Sequence, residues 1–273
     1  MPDRCIRAAE LDKSLIRTAF GRAASSYDDF AGLQRRIGDL LLQCLNLGSC
    51  STATILDLGA GTGYCSRRLN RGTAWVIDLD LAPAMLVRAR SLEERKTHYV
   101  CGDAGFLPFR DQCLDVVLSN LVIQWCGDLK QVCKEVRRVL KPGGILLFST
   151  FGPETLCELR DAWKRVDPGT HVNEFAGIPA IRDAISRSGL QDQGIEREFM
   201  RVAYQGVMEL MRALKGVGAH NVNPDRPRAL TGKNKVKRMI AEYGNINPDQ
   251  KISATFEIIF GRCGRSREPN VGS

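Results

Sequence analysis

The chain reads as an α/β protein with a mostly parallel, seven-stranded sheet, helices on both of its faces and a helical amino-terminal lid. Three observations predict this. Short apolar runs alternate with segments of helical period between residues 53 and 151. The first run ends directly in a glycine turn, Gly59-Ala60-Gly61-Thr62-Gly63. Polar residues close four of the runs, so one rim of the sheet carries chemistry. At about 150 residues per domain, 273 residues make one to two domains. A balance of 44% hydrophobic and 26% charged residues excludes disordered, collagen-like and coiled-coil chains.

The elements follow in order. Residues 11 to 47 carry apolar positions at spacings of three and four (Leu15, Ala19, Leu33, Ile37, Leu41) and predict helix, broken in two by the polar stretch Ser25 to Asp29. Ala53 to Leu58 is an apolar run of buried-strand type. A helix from Tyr64 to Arg71, a strand from Ala74 to Asp80 and a helix from Ala82 to Arg95 come next, the last opened by Pro83. Strands His98 to Gly102 and Leu114 to Asn120 precede a helix from Leu129 to Leu140. Lys141-Pro142-Gly143-Gly144 stops that helix before the strand Ile145 to Phe151.

Beyond Phe151 the rhythm changes. Helices over 153 to 165 and 178 to 188 flank a polar loop, a strand lies near 195 to 204, helices cover 205 to 216 and 230 to 243, and a strand from Ile252 to Phe260 closes the fold. The two late strands suit an antiparallel edge, and residues 261 to 273, rich in Gly, Arg and Ser, read as a frayed tail. The expected division is a lid at 1–48, a cofactor core at 49–151, a substrate and partner region at 152–262 and a flexible tail at 263–273.

Composition narrows the function classes. No apolar run approaches the roughly 18 residues of a membrane span, and the start lacks a secretory signal, so a cytoplasmic protein without membrane association is expected. A net charge of +8 suits an acidic partner but is too mild to demand nucleic acid. Ten cysteines without a Cys-x-x-Cys pair and three scattered histidines leave no metal-ligand spacing, so no metal is expected.

The glycine turn lets backbone approach a ligand closely. Tyr64 stands where a dinucleotide fingerprint needs its third glycine, and no Gly-Lys-Ser/Thr triplet supplies a phosphate loop, so nicotinamide and ATP are minor possibilities. Asp57 leads the turn. Asp80 ends the second strand 23 residues later, near the spacing at which a carboxylate meets a ribose diol. Gly102-Asp103-Ala104 and Ser119-Asn120-Leu121 close the next two strands.

In this order, Asp57 to Gly63, Asp80, Asp103 and Lys141 to Gly144 resemble the class I S-adenosylmethionine-dependent methyltransferases, a Rossmann-like fold, over about residues 50 to 151. The resemblance implies that Gly59, Gly61 and Gly63 pack against the methionine part of the cofactor S-adenosylmethionine. It also implies that Asp80 holds the ribose hydroxyls, that Asp103 and Ala104 border the adenine, that Asp57 orients the loop and the cofactor's amino group, and that Asn120 and Leu121 line the floor.

Further stretches are similar to the malonyl-acyl-carrier-protein O-methyltransferases of biotin synthesis: Phe20 to Asp28, Ala31, Leu33-Gln34, Gln124-Trp125-Cys126, Ser149 to Leu156, Leu159 to Trp163, His171-Val172-Asn173, Leu214 to His220 and Thr255-Phe256-Glu257. That family methylates the free carboxylate of a malonyl thioester on acyl carrier protein, so the resemblance implies malonyl-acyl carrier protein, or malonyl-coenzyme A, as partner. A carboxylate is ionised at neutral pH and needs alignment rather than a base. By the resemblance Tyr27 is the first candidate to meet it, with Gln124 and a basic residue, Arg22 or Arg201, behind. Other methyl acceptors (a different carboxylate, a quinone ring carbon, an amine) and a non-catalytic assembly role on the same fold remain open. Cationic residues concentrate late in the chain, at Arg212, Lys215, Arg226, Arg228, Lys233, Lys235, Lys237 and Arg238, where an acidic carrier would dock; the basic alternative is Arg17, Arg22, Arg35 and Arg36.

Overall fold

A computed structural model describes residues 11–45, 52–69, 74–93, 97–219, 221, 232–246 and 252–267. The helical lid comprises α1 (Lys13–Ala23), α2 (Tyr27–Phe30) and α3 (Gly32–Gln43). The helix breaks at Ser25-Ser26, inside the predicted polar stretch, but Tyr27 to Asp29 are themselves helical in α2 and a second break at Ala31 makes three helices rather than two. Asp12 caps α1 by accepting the Ser14 N–H at 2.9 Å. The core follows as β1 (Thr54–Leu58), α4 (Tyr64–Leu69), β2 (Trp75–Asp80), α5 (Pro83–Leu92), β3 (His98–Cys101), β4 (Leu114–Asn120), α6 (Leu129–Val139) and β5 (Leu140–Phe151). The remainder is α7 (Cys157–Lys164), α8 (Ile178–Ser188), β6 (Gln191–Tyr204), α9 (Val207–Gly216), α10 (Lys233–Ile246) and β7 (Ile252–Gly264).

The strands form one seven-stranded sheet in the order β3-β2-β1-β4-β5-β7-β6. The first five run parallel and β7 is antiparallel to both its neighbours, as the sequence predicts. Alternate residues on β4 and β5 feed opposite faces. Val117, Leu146 and Phe148 pack with α6 and α8, while Val116, Leu118 and Leu147 pack with α3 and α4. A third apolar cluster joins α7, α9 and α10 to β6 and β7 through Leu159, Trp163, Leu210, Met239, Tyr243 and Phe256.

Three expectations require correction. Lys141 to Gly144 ends α6 but does not lie outside the sheet. It forms an irregularity within β5, where the register to β4 slips between the Leu114↔Leu140 and Val116↔Ile145 pairs. The helix expected from residue 153 begins at Cys157, because Gly152 to Leu156 is a turn fastened to β7: the Glu154 N–H donates to Glu257 Oε2 at 2.8 Å and the Leu156 N–H to the Thr255 carbonyl at 2.7 Å. Residues 261 to 267 are not a frayed tail. The strand runs on to Gly264, Cys263 is fully buried, and the Arg265 guanidinium donates to the carbonyls of Arg137, Arg138 and Leu140 at 2.8 to 3.2 Å, satisfying the end of α6. Residues 268–273 lie outside the described part.

Candidate active site

The strand ends of β1 to β4 and the lid enclose a cavity of about 740 Å3. The glycine turn closes one side. Gly59 and Ala60 donate their N–H groups to the Leu79 carbonyl at 2.7 and 3.0 Å, which folds the turn back over β2. Gly59 has φ +73°, and a Cβ there would lie 2.3 Å from a Val122 methyl; Gly61 has φ +57° and faces open space. Asp80 sits opposite. Its Oδ2 accepts the Gly61 N–H at 2.9 Å and its Oδ1 the Ala82 N–H at 2.8 Å, leaving further lone pairs on both oxygens. Burial raises the Asp80 carboxyl above its ordinary range, and the amides of Ala82 and Gly61 oppose that shift.

The other predicted residues fall around the same space. Asp103 takes the Lys13 ammonium of α1 and the Gly105 N–H, and Ala104 lines the wall beside it. Leu121 forms part of the floor at φ +57°, an uncommon conformation for a non-glycine residue, held by its N–H to the Ser149 carbonyl at 3.0 Å. Asn120 spends its amide on architecture: Nδ2 donates to the Gln34 carbonyl at 3.0 Å and Oδ1 accepts from Ser149 Oγ at 2.8 Å, tying β4 to α3 and β5. Gly63, by contrast, lines neither cavity at the turn: it donates its N–H to the Ala60 carbonyl at 2.9 Å, and a Cβ there would meet Ser66, Arg67 and Ala89 at 3.2 Å, so its φ of +76° serves the turn and its packing.

Asp57 lies deeper, 2% exposed, and accepts the Ser66 N–H at 3.1 Å. Its β2 neighbour Asp78 accepts from Ser66 Oγ at 3.1 Å. Burial and the Asp78 charge push the Asp57 carboxyl well up, and burial takes Asp78 to about 7. Asp57 lines a smaller cavity with Tyr27, Arg35, Gly59 and Asn120 beside the glycine turn.

The amino-terminal helices lie over these groups. Ile16, Phe20 and Tyr27 line the first cavity, the Phe20 ring meets Trp125 edge-on at 5.3 Å, and Thr62 Oγ1 donates to Asp28 at 2.9 Å across the glycine turn. Burial and the Asp80 charge push the Tyr27 phenol up, so it stays a neutral donor.

Three predicted residues fall elsewhere. Gln124 Nε2 donates to the Leu121 carbonyl at 2.8 Å and its Oε1 accepts from Thr150 at 3.0 Å; the side chain lines none of the cavities described here and serves to fix the floor. Arg22 and Arg201 are both exposed and line none of them either.

A second cavity, of about 720 Å3, lies between α3, α7, α9 and the 171–175 loop. Its walls are mainly apolar, from Phe30, Leu33, Phe151, Phe175 and Leu214 among others, and it shares Trp125 with the first cavity and Gln34 with the smaller one. His171 lines it, stacked on Trp163 at 3.8 Å with Nε2 2.7 Å from Asp167, which also takes Lys235 of α10 at 3.0 Å. Those two partners hold the Asp167 carboxyl well below the usual range. His220 lies outside the described residues. The sequence signals for this cavity were the stretches around Leu33, Phe151, His171, Leu214 and Phe256, which no local pattern connects.

The position of the first cavity at the strand ends, its apolar walls and a strand-end carboxylate braced by backbone amides fit a nucleoside-bearing ligand. Among the described residues no group of side chains could hold a metal ion, and no helix is long and apolar enough to cross a membrane. Residues 56–148 match the family model of a methyltransferase domain. A Bacillus halodurans structure described as a methyltransferase superposes with a TM-score of 0.61 at 19% identity, covering 84% of this chain and 98% of that one. Fold and cavity together define a class I methyltransferase whose cofactor is S-adenosylmethionine.

The malonyl-[acyl-carrier protein] O-methyltransferase of Nitrosospira multiformis is 38% identical over 93% of this chain and 89% of its own length. The biotin biosynthesis bifunctional protein BioHC of Cellvibrio japonicus is also 38% identical, and there the chain spans half of the longer relative. This chain belongs to the malonyl-[acyl-carrier protein] O-methyltransferase family.

Proposed function

We propose that the protein methylates the free carboxylate of a malonyl thioester carried on acyl carrier protein, giving the methyl ester that enters pimelate and biotin synthesis. The observation that carries this reading is the similarity to the Nitrosospira multiformis enzyme along nearly the whole chain, which includes the walls of the second cavity as well as the cofactor core.

S-adenosylmethionine supplies an electrophilic methyl group on a positively charged sulfur. The chain's own residues bind and orient. Gly59 to Gly63 and Asp57 would hold its methionine part, Asp80 its ribose, and Asp103 with Ala104 would border its adenine. Asn120 and Leu121 keep the floor rigid, and Gln124 braces Leu121 from behind. Tyr27, a neutral donor beside Asp80, can place its O–H towards the acceptor carboxylate, while the overlying amino-terminal helices exclude water that would hydrate that anion. No residue needs to remove a proton, since the acceptor is already ionised.

The second cavity suits the thioester arm, and the exposed Lys233, Lys237 and Arg238 on α10 stand beyond Lys235, whose Asp167 partner anchors His171 at the cavity wall. An acidic carrier placed there delivers its arm past His171. Methyl-labelled cofactor tests the function directly: malonyl-acyl carrier protein should acquire an alkali-labile methyl group and acetyl-acyl carrier protein should not. Absence of label on the malonyl carrier, or equal labelling of both, would exclude carboxyl methylation.

A further inference from the structure

We propose that Gln34 holds the carboxylate of the malonyl group through its neutral side-chain amide, at the point where the substrate cavity meets the cofactor site. The inference rests on the carboxyl-methylation reading above and names the group that reads the carboxylate.

Gln34 occupies a particular place. It lines both the second cavity and the small cavity beside the glycine turn, so its side chain stands at their boundary. Its backbone is pinned there, because its carbonyl accepts the Asn120 Nδ2 at the end of β4. Its Oε1 is buried without a hydrogen-bond partner. A buried amide end left unpaired is costly, and rotating the amide by half a turn exchanges its acceptor for two N–H donors. A carboxylate arriving through the second cavity is the ligand that such donors satisfy.

The charge inventory points the same way. Among the described residues lining the second cavity there is no lysine or arginine. Arg35 lines only the small cavity, beside Asp57, and Lys13 is committed to Asp103 on the far side of the cofactor site. His171, the one lining residue able to become a cation, is engaged by Asp167.

A neutral partner also fits the chemistry. The reacting carboxylate oxygen gains a bond to the methyl carbon as the carbon–sulfur bond breaks. The bonding pair stays on sulfur and no proton moves, so an anion and a cation become two neutral groups. A paired cation would stabilise the carboxylate before reaction and lose that attraction in the transition state, which raises the barrier. An amide orients the carboxylate with much less of this penalty, and the apolar walls favour the loss of charge.

The test is calorimetric and needs no turnover. With S-adenosylhomocysteine bound, the parent protein should prefer malonyl-pantetheine to acetyl-pantetheine, which lacks the carboxylate. Gln34→Met, close in size, should lose about ten- to a hundredfold of that preference, while affinity for S-adenosylhomocysteine stays within about twofold. Gln34→Glu should bind malonyl-pantetheine more weakly still, by like-charge repulsion, and leave acetyl-pantetheine unaffected. Thermal melting of both variants checks that the fold is intact. Full malonyl preference in a folded Gln34→Met protein overturns the proposal, as does loss of preference in Arg35→Gln with Gln34→Met unchanged. A parent protein with no preference at all would instead remove the carboxyl-methylation reading on which the proposal stands.

Discussion

The two cavities are built by opposite means. The cofactor cavity and the smaller one beside it are assembled from short contiguous motifs at the ends of neighbouring strands: residues 57–62, 79–81, 102–104 and 120–122. Much of the hydrogen bonding there is backbone to side chain, as in the Gly61 and Ala82 N–H bonds to Asp80. The second cavity draws a few residues at most from each of α2, α3, α7, α9, the 171–175 loop, β5, β6 and β7, and its walls are mainly apolar. Parallel strands bring their carboxyl ends to one rim wherever they pair, so a cofactor site comes with the sheet. A substrate cavity must be carved among packed helices, where the contributors are distant in sequence.

That contrast orders the expected effects of mutation. The largest belongs to Gly59→Ala. Its left-handed φ costs a non-glycine residue roughly 1 to 2 kcal/mol, and the added Cβ would sit 2.3 Å from Val122. Calorimetry should show cofactor binding abolished and melting should show lower stability, with partial recovery in Gly59→Ala/Val122→Ala because only the clash is relieved. Normal cofactor affinity in the single variant would mean that the turn is not the cradle. Next comes Asp80→Ala, which removes an acceptor from the same cavity. S-adenosylmethionine affinity should fall roughly ten- to a hundred-and-fiftyfold with the fold retained, and an unchanged dissociation constant would take Asp80 out of the ribose site.

On the substrate side, charge reversal at Lys233, Lys237 and Arg238 should raise the KM for malonyl-acyl carrier protein on the order of tenfold at low ionic strength, and salt should erase the difference. Malonyl-coenzyme A should be much less affected. Lys235 is left alone because it pairs with Asp167. Equal losses on both substrates would point to damage in the site, and no loss on either would move the carrier towards Arg17, Arg22, Arg35 and Arg36.

The last effect bears on stability and leaves the comparison of the cavities least changed: it concerns pH. Asp78 titrates near 7 in the folded protein against an ordinary 3.8, so the folded state binds more protons between those values. Stability therefore falls as pH rises from about 4 to 7 and levels off above. Asp78→Asn should reduce that decline, leaving the part carried by the buried Asp57, so its Tm gain over the parent grows from pH 5 to pH 8. Parallel Tm curves for the two proteins would show that Asp78 is not a buried, raised carboxyl.

The same contrast explains what the sequence made legible. Period and glycine chemistry are local, so the strands, the lid break before Tyr27, the glycine turn and Asp80 could be read residue by residue. The family resemblance makes Gln124 a candidate to meet the substrate, whereas its amide turns inward to Leu121 and Thr150; the direction of a side chain after a tight turn is set by packing, which no local pattern shows. Arg22 and Arg201 were chosen for charge alone and face solvent. The Gly-Arg-Ser composition after Phe260 suggests a loose end, while pairing to β5 and β6 makes residues 261–264 an interior strand of the sheet and the Arg265 contacts fasten the chain beyond it to α6. Gln34 lay in plain sight beside Leu33. Only tertiary structure puts it against Asn120 at the seam of two cavities.

A crystal structure with S-adenosylhomocysteine and malonyl-pantetheine tests the central claim most directly. The account predicts the pantetheine arm in the second cavity, past Leu214 and Phe30, with the malonyl carboxylate in hydrogen-bond contact with the Gln34 amide and beside Trp125. An arm lying outside that cavity, or a carboxylate bound to an arginine or lysine, would contradict it.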